Sequence, residues 1–347
     1  VVDRARRIAD EVLFPIAQDV DRAPTIPPAN FAAIADAGLF DIATSAEAGT
    51  LDDERETAWR VFSAIAGGCG ATFFVWAQHH SVVRVLRASD NHRLVEAVLG
   101  DLCSGAAMAG VAFAHLRRPG PPAIRATRVD DGWLLDGFSP WTTSWGLADR
   151  FAVAAVSDEE EVVWSILAAD HGEGVVPTPL QLPVFMATGT VTIRFDRCLV
   201  PDERIALIEP LADWRARDRR NAAAGNPATH GLAVRAAELV RELGDGDADA
   251  TRAADRLDHA CVVREREFDD LLLVADLEDD DTFVERASRH RAACLHLAQR
   301  AATALLATVG GRGMELSHPA QRLAREADYF VIQAQTTDGR AAALRSS

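Results

Sequence analysis

The side chains best suited to hold a flat ring with polar edges are Trp141-Thr142-Thr143-Ser144-Trp145, two indoles bracketing three hydroxyls. Indole faces supply apolar walls, and short hydroxyls both donate and accept hydrogen bonds at the rim of a ring. The same residues would also serve as a bulged strand carrying two core tryptophans. A second group, Gly310-Gly311-Arg312-Gly313, lets backbone amides approach a phosphate because glycine has no Cβ. Alone, such a run is more often a helix C-cap. The adjacent His79-His80 pair has no third ligand at a useful spacing, so a helix surface or pocket wall is expected and no metal site. Asp245, Asp247 and Asp249 imitate the start of a calcium loop. The sixth position is Ala250 where glycine is required and the twelfth is Arg256 where glutamate is required, so 244–250 reads as a solvated linker. No arrangement for a Ser-His-Asp hydrolase, a Gly-x-Gly-x-x-Gly dinucleotide turn or a Gly-Lys-Ser/Thr phosphate loop is present.

These groups need a large scaffold, and 347 residues allow more than one packed unit. Hydrophobic residues at 48% and charged residues at 25% are ordinary for a globular chain. A net charge of −16 repels phosphate backbones, which argues against nucleic acid as a partner. No apolar run approaches the roughly 20 residues that span a bilayer, so no membrane partner is expected. The five cysteines are scattered without a Cys-x-x-Cys pair, which suits reduced thiols and a cytoplasmic location.

Apolar residues at 5, 8, 9, 12, 13, 16 and 20 predict a helix over 3–20, kinked by Pro15. Further helices are predicted over 28–37 (ending at Gly38), 52–66 and 71–89. From about Gly105 the texture changes to short β-like runs. Ile124 to Val129 pairs with Trp133 to Leu135 through the Asp131-Gly132 turn, and a second turn is expected at Asp136-Gly137. Phe151 to Val156 reads as an apolar strand, and Val191, Ile193 and Phe195 alternate as one buried strand face. After about Ile208 the chain is helical again, over 231–243, 251–275 and 282–309.

Several of these stretches, in this order, resemble the acyl-CoA dehydrogenase superfamily. The opening EVLFPIAQDVDRAPTIPPANFAAIADAGLFDIATSAEAG (11–49) is similar to its first helices, with Pro15, Asp19, Asp21 and Ala37-Gly38-Leu39. Asp136-Gly137, Trp141-Thr142-Thr143-Ser144 and Ala148-Asp149 resemble its middle-domain signature, and FDRCLVP (195–201) its exit from the β domain. Gly310-Gly311-Arg312-Gly313, Arg322 to Glu326 and Thr336 resemble its C-terminal signature. The resemblance implies an α+β, mainly α fold: an N-terminal helical domain (1–104), a middle antiparallel β domain (105–208) and a C-terminal four-helix bundle (209–347). It implies FAD, with Phe113, Trp141, Thr142, Thr143, Gly310, Gly311, Gly313 and Thr336 as contacts. The glycine turn would serve a flavin bound mainly to a neighbouring subunit, hence a homodimer or homotetramer. It implies a small-molecule substrate such as an acyl-CoA, and a flavin reductase or electron-transfer protein as partner.

The sequence departs from the family where the chemistry is done. The family's proton-abstracting Glu stands nine residues after the second Arg of its Arg-x-x-Arg-Asp, which here is Ala334; the alternative position falls near Asn221. The Thr-Glu-Pro segment is replaced by Phe113-Ala114-His115, and the Arg-x-x-Phe-Gly motif is missing, with Arg264 or Arg266 as substitutes. Three readings follow: a thioester dehydrogenase with a relocated base, Asp218 being the nearest carboxylate to Asn221; a flavin-dependent monooxygenase, with His115 as candidate proton donor; and a non-catalytic paralogue.

Overall fold

A computed structural model of the chain describes residues 1–42, 51–169 and 172–346. Residues 43–49, the end of the resembling N-terminal stretch, lie outside the described residues. The helix expected over 3–20 is broken at Pro15: α1 (Val2–Ile8) runs into a π-helical turn, Ala9–Leu13, and a 3-10 turn, Phe14–Ile16, before α2 (Ala17–Arg22) resumes. Proline lacks an N–H and crowds the carbonyl four residues back, so the helix changes its turn there instead of continuing. α3 (Pro28–Asp36) is followed by Gly38 at φ +68°, α4 spans Leu51–Gly68 and α5 Gly70–Arg87. α6 (His92–Ser104), absent from the sequence reading, is capped by the Asn91 side chain accepting from the Leu94 N–H and stops at left-handed Gly105.

Eight strands fall between residues 109 and 210: β1 (Ala109–Ala112), β2 (Ile124–Val129), β3 (Gly132–Thr142), β4 (Arg150–Val156), β5 (Glu161–Ala168), β6 (Val175–Pro179), β7 (Val191–Pro201) and β8 (Ile205–Pro210). They form one sheet in the order β6-β7-β3-β2-β4-β5-β8, with β1 beside β4. The pairings are antiparallel except β1 with β4 and the single β2–β4 contact. The β2–β3 hairpin has the expected register, with Ala126 opposite Leu135 and Arg128 opposite Trp133. The second turn is not there: β3 continues through Asp136-Gly137 as one 11-residue strand with a register shift. Gly137 sits at φ +133° with its absent Cβ only 2.1 Å from the Ala123 carbonyl, so the glycine serves a bulge and a close backbone approach, not a reversal. In β7, Val191, Ile193 and Phe195 are buried while Arg194 and Asp196 face solvent.

α7 (Leu211–Ala223) returns the chain to helix. α8 (Pro227–Leu243), α9 (Ala248–Val274), α10 (Asp280–Val309) and α11 (Pro319–Phe330) then pack as the C-terminal bundle, around Leu232, Ala236, Leu257, Leu295, Ala298 and Leu323 among others, and α12 (Thr337–Ser346) follows. The aspartate-rich linker is shorter than expected, because Asp247 caps α9 by accepting from the Asp249 and Ala250 N–H groups. The stretch Asp280–Met314 is long and apolar enough by composition to span a bilayer, which the sequence reading did not find. Half of its most apolar window is buried inside the molecule, as suits the central helix of a bundle.

Two contacts join the chain's ends. α4 crosses α8 backbone to backbone, since a Cβ on Gly231 would lie 1.9 Å from the Ser63 carbonyl oxygen. The arginines of the C-terminal signature reach the first helices: Arg322 Nε donates to Gln18 Oε1 (2.7 Å) while its Nη1 pairs with buried Glu326 (2.8 Å). Arg325 pairs with Asp21 (2.5 Å) and donates to the Pro183 carbonyl (2.6 Å).

Candidate functional site

A cavity of about 1250 Å³ opens where the sheet meets both helical parts. α5 contributes Phe73, Phe74 and Gln78; β1 and the turn after it contribute Val111, Phe113 and Arg117. The end of β3 contributes Trp141, followed by Thr143; α7 contributes Trp214, Asp218 and Asn221. Tyr329 and residues 332–337 close the far side. Residues distant in sequence thus converge: Trp141 and Thr143 on one wall, Asn221, Ala334 and Thr336 on the others.

The Trp141–Trp145 segment is held rigidly. The Ser144 N–H donates to the Thr188 carbonyl (2.9 Å) and the Trp145 N–H to the Gly189 carbonyl (3.0 Å). Thr143 Oγ1 lies 3.1 Å from Thr190 Oγ1. Asp149 Oδ2 accepts from the Met108 N–H (2.8 Å), so the Ala-Asp part of the signature joins the start of β4 to the residue before β1. Two residues of the segment point elsewhere. Thr142 is fully buried with its hydroxyl 2.9 Å from that of Ser139, and Trp145 stacks on Phe151 at 5.3 Å. Neither lines the cavity.

Both candidate catalytic residues have structural partners. Asp218 faces the cavity but is gripped by Arg117 at two points, Nε (2.7 Å) and Nη2 (2.8 Å). His115 does not line the cavity; it is buried, its Nε2 lies 2.9 Å from the Ala154 carbonyl, and burial pulls its pKa down to about 4. It is therefore neutral at pH 7, with no proton of ordinary acidity to give. His79 and His80 are core residues, not a surface or pocket wall. His79 Nδ1 accepts from the Ala109 N–H, His80 lies against the Trp76 and Leu39 carbonyls, and burial lowers their pKa to about 4 and about 3. Among the described residues no cluster could hold a metal ion.

The glycine turn, a 3-10 turn over Gly310–Met314, lies outside the cavity of its own chain. Gly310 has φ +64°, Gly311 is exposed with open space where its Cβ would be, and Gly313 is buried against Val309 and Leu306. Thr336 does face the cavity and stands just before α12, its hydroxyl accepting from the Gly339 N–H (3.1 Å). Arg264, offered as a substitute cofactor contact, pairs with Glu267 on its own helix (2.6 Å).

Sequence reasoning missed Arg117, Trp164, Trp214, Tyr329 and Arg291 as cavity residues. Arg291 left a signal: it stands at helical spacing among Ala287, Cys294, Leu295 and Ala298, a charge in the buried stripe of α10.

Helices, then a sheet, then a helical bundle, with a deep cavity at their junction, define the acyl-CoA dehydrogenase-like class of fold. Residues 1–106 match the family model described as acyl-CoA dehydrogenase, N-terminal domain. The probable acyl-CoA dehydrogenase fadE25 of Mycobacterium leprae is 26% identical over 208 residues, 58% of this chain and 53% of that protein. Benzylmalonyl-CoA dehydrogenase of Aromatoleum aromaticum is 26% identical over 213 residues, 58% of this chain and 55% of that protein. The matched stretch spans about half the length of these relatives. Among solved structures, butyryl-CoA dehydrogenase from Megasphaera elsdenii superposes with TM-score 0.80 at 16% identity, covering 99% of this chain and 95% of that one. Nitrososynthase from Micromonospora carbonacea var. africana gives TM-score 0.78 at 20% identity, with 99% and 95% covered. Residues 1–106 thus match an acyl-CoA dehydrogenase N-terminal domain, and the chain as a whole shares the acyl-CoA dehydrogenase fold.

Proposed function

We propose that this protein is an FAD-dependent oxidoreductase acting on a small organic substrate, an acyl thioester first among candidates, in the cavity between Trp141 and Ala334. The observation that carries the reading is convergence: the flat Trp141 face and Thr143 hydroxyl share one cavity with Asn221, Ala334 and Thr336. The donor set fits a flavin ring, with an indole to lie against it and a hydroxyl at its rim, in a cavity large enough for ring and substrate together. When bound, FAD supplies the acceptor for a hydride or, once reduced, the reaction with oxygen. Thr143 would hold the ring's polar edge, Trp141 its face, and Phe74, Trp214 and Tyr329 would keep water from the reacting end. The open Gly311 suits a cofactor approached by the turn of a second copy, so a homodimer or homotetramer belongs to the same proposal, as does a protein that exchanges electrons with the flavin.

A second reading, a flavin-dependent monooxygenase, is favoured by the state of the cavity's carboxylates. Among the described lining residues these are Glu209 and Asp218, and each is ion-paired, with Arg217 (2.5 Å) and Arg117 (2.7 Å). Ala334 and Asn221 have no basicity to offer, and removal of an α-proton needs a base that does. Anaerobic titration of the FAD-loaded protein with butyryl-CoA separates the two. Slow or absent bleaching of the wild type, with partial bleaching restored by Ala334→Glu, supports a thioester pocket that lacks its base. No bleaching in either protein, together with oxygen-dependent turnover from reduced flavin, supports the oxygenase. Failure to bind FAD at all refutes both.

A further inference from the structure

The cavity holds a cation that the reading above does not use. Arg291 is 6% exposed on the buried stripe of α10, yet it faces the cavity. Its Nη1 donates to the Ala222 carbonyl (3.1 Å) and its Nη2 to the Gln333 carbonyl (2.6 Å). Both acceptors lie at helix C-terminal ends, one in the last turn of α7 and one just past α11, where carbonyls lack intrahelical partners and carry partial negative charge. That arrangement orients a guanidinium but does not neutralise it. Among the described residues no carboxylate pairs with Arg291, and the neighbouring charge is Arg117, which is of like sign. Burial first, and then Arg117, pull its pKa down to about 10, so it remains charged at pH 7.

The two carboxylates among the described lining residues are already matched, and the further lining arginines Arg84, Arg118 and Arg340 are exposed where Arg291 is buried. Asp218 is taken by both donors of Arg117, and Glu209 by Arg217. A buried charge without a counter-ion is costly, and the cost is relieved when a ligand brings an anion to it. A guanidinium is shaped for the two oxygens of a carboxylate.

We propose that Arg291 is the anchor for a second carboxylate on the substrate, so that the cavity selects dicarboxylic acyl thioesters over monocarboxylic ones. This rests on the reading of the cavity as the thioester site. Asn221, Ala222, Gln333 and Ala334 frame the anchor. Where the family resemblance expects an anionic side chain at 334, this chain has an alanine beside a cation, and the substrate would bring the negative charge itself.

The test is calorimetric titration of the flavin-loaded protein with malonyl-, succinyl- and glutaryl-CoA against butyryl-CoA. At least one dicarboxylic thioester is expected to bind about 10- to 100-fold tighter than butyryl-CoA, the range for a charge-assisted hydrogen-bonded pair. Arg291→Leu is expected to erase that preference while leaving butyryl-CoA affinity in place, and Arg291→Lys to keep part of it. Should Arg291→Leu fail to fold, Ala334→Glu gives the same readout by supplying a competing carboxylate beside Arg291, and is expected to reduce dicarboxylic binding selectively. Equal affinity for all four thioesters in the wild type overturns the anchor and leaves the functional reading standing, as does equal loss of both classes in Arg291→Leu. Absence of flavin and of any thioester binding overturns both.

Discussion

Replacing Asp218 by Asn distinguishes a structural carboxylate from a base. The change removes the charge from a two-point contact of 2.7 and 2.8 Å with Arg117, whose side chain is 16% exposed against 14% for Asp218. Breaking a fully buried ion pair costs about 3–5 kcal/mol, and this pair keeps some solvent and one amide acceptor, so about 2–3 kcal/mol is expected. With about 2.1 cal/mol/K of unfolding entropy per residue, a 347-residue chain shifts by roughly 1.4 °C per kcal/mol. Asp218→Asn should therefore lower Tm by about 3–4 °C in scanning calorimetry. Arg117→Gln should do much the same, and the double variant should fall well short of the sum, because each single change leaves the other partner stranded. Flavin reduction by acyl-CoA should change little. A variant with unchanged Tm whose anaerobic flavin reduction falls about 100-fold or more would make Asp218 the base and refute the structural assignment.

Thr143→Val should weaken FAD binding by loss of a hydroxyl at the ring's edge, and Gly311→Asp should weaken it more by placing a carboxylate near the pyrophosphate; unchanged affinity in both, read by flavin fluorescence, would move the site elsewhere. Gly231→Ala places a methyl 1.9 Å from the Ser63 carbonyl, so α4 and α8 must separate, and a large loss of stability in urea titration is expected; an unchanged midpoint would mean the crossing is looser than drawn. Acid should destabilise the fold well above carboxylate pKa values. Burial lowers His79, His115, His230 and His290 to about 4 and His80 to about 3, against about 6.5 unfolded, so the unfolded chain binds more protons between those limits. Stability should be full above about pH 6.5 and fall as pH drops towards 4, and urea midpoints that stay flat from pH 7 to 5 would contradict it.

Periodic features were legible in the sequence because one periodicity decides them. Val191, Ile193 and Phe195 alternate because one face of β7 is buried, and the break at Pro15 follows from proline's missing donor. Asp136-Gly137 misled because the same dipeptide serves a turn or a bulge, and the choice lies with the Ala123 carbonyl, fourteen residues before it in the chain and reached only through β2. Of the Trp141–Trp145 segment, Trp141 and Thr143 line the cavity while Thr142 faces Ser139, a division that follows from the alternation of side chains along an extended chain. Arg291 was readable as a charge in an apolar stripe; that its partners would be two carbonyls from other elements was not, since backbone groups are the same at every position.

The ties from α11 to the first helices also bear on how the protein is made. Arg322 and Arg325 meet Gln18 and Asp21 across a separation of 304 residues. At about 5–20 residues per second, a ribosome needs roughly 15 to 60 s to deliver those arginines after the first helices have emerged. Through that interval Leu13, Ala17 and Val20 have only part of their final cover, and the cavity has no far wall. The cavity is thus among the last things synthesis completes, and a chain stalled before α11 carries the Trp141 wall without Tyr329 and residues 332–337 opposite it.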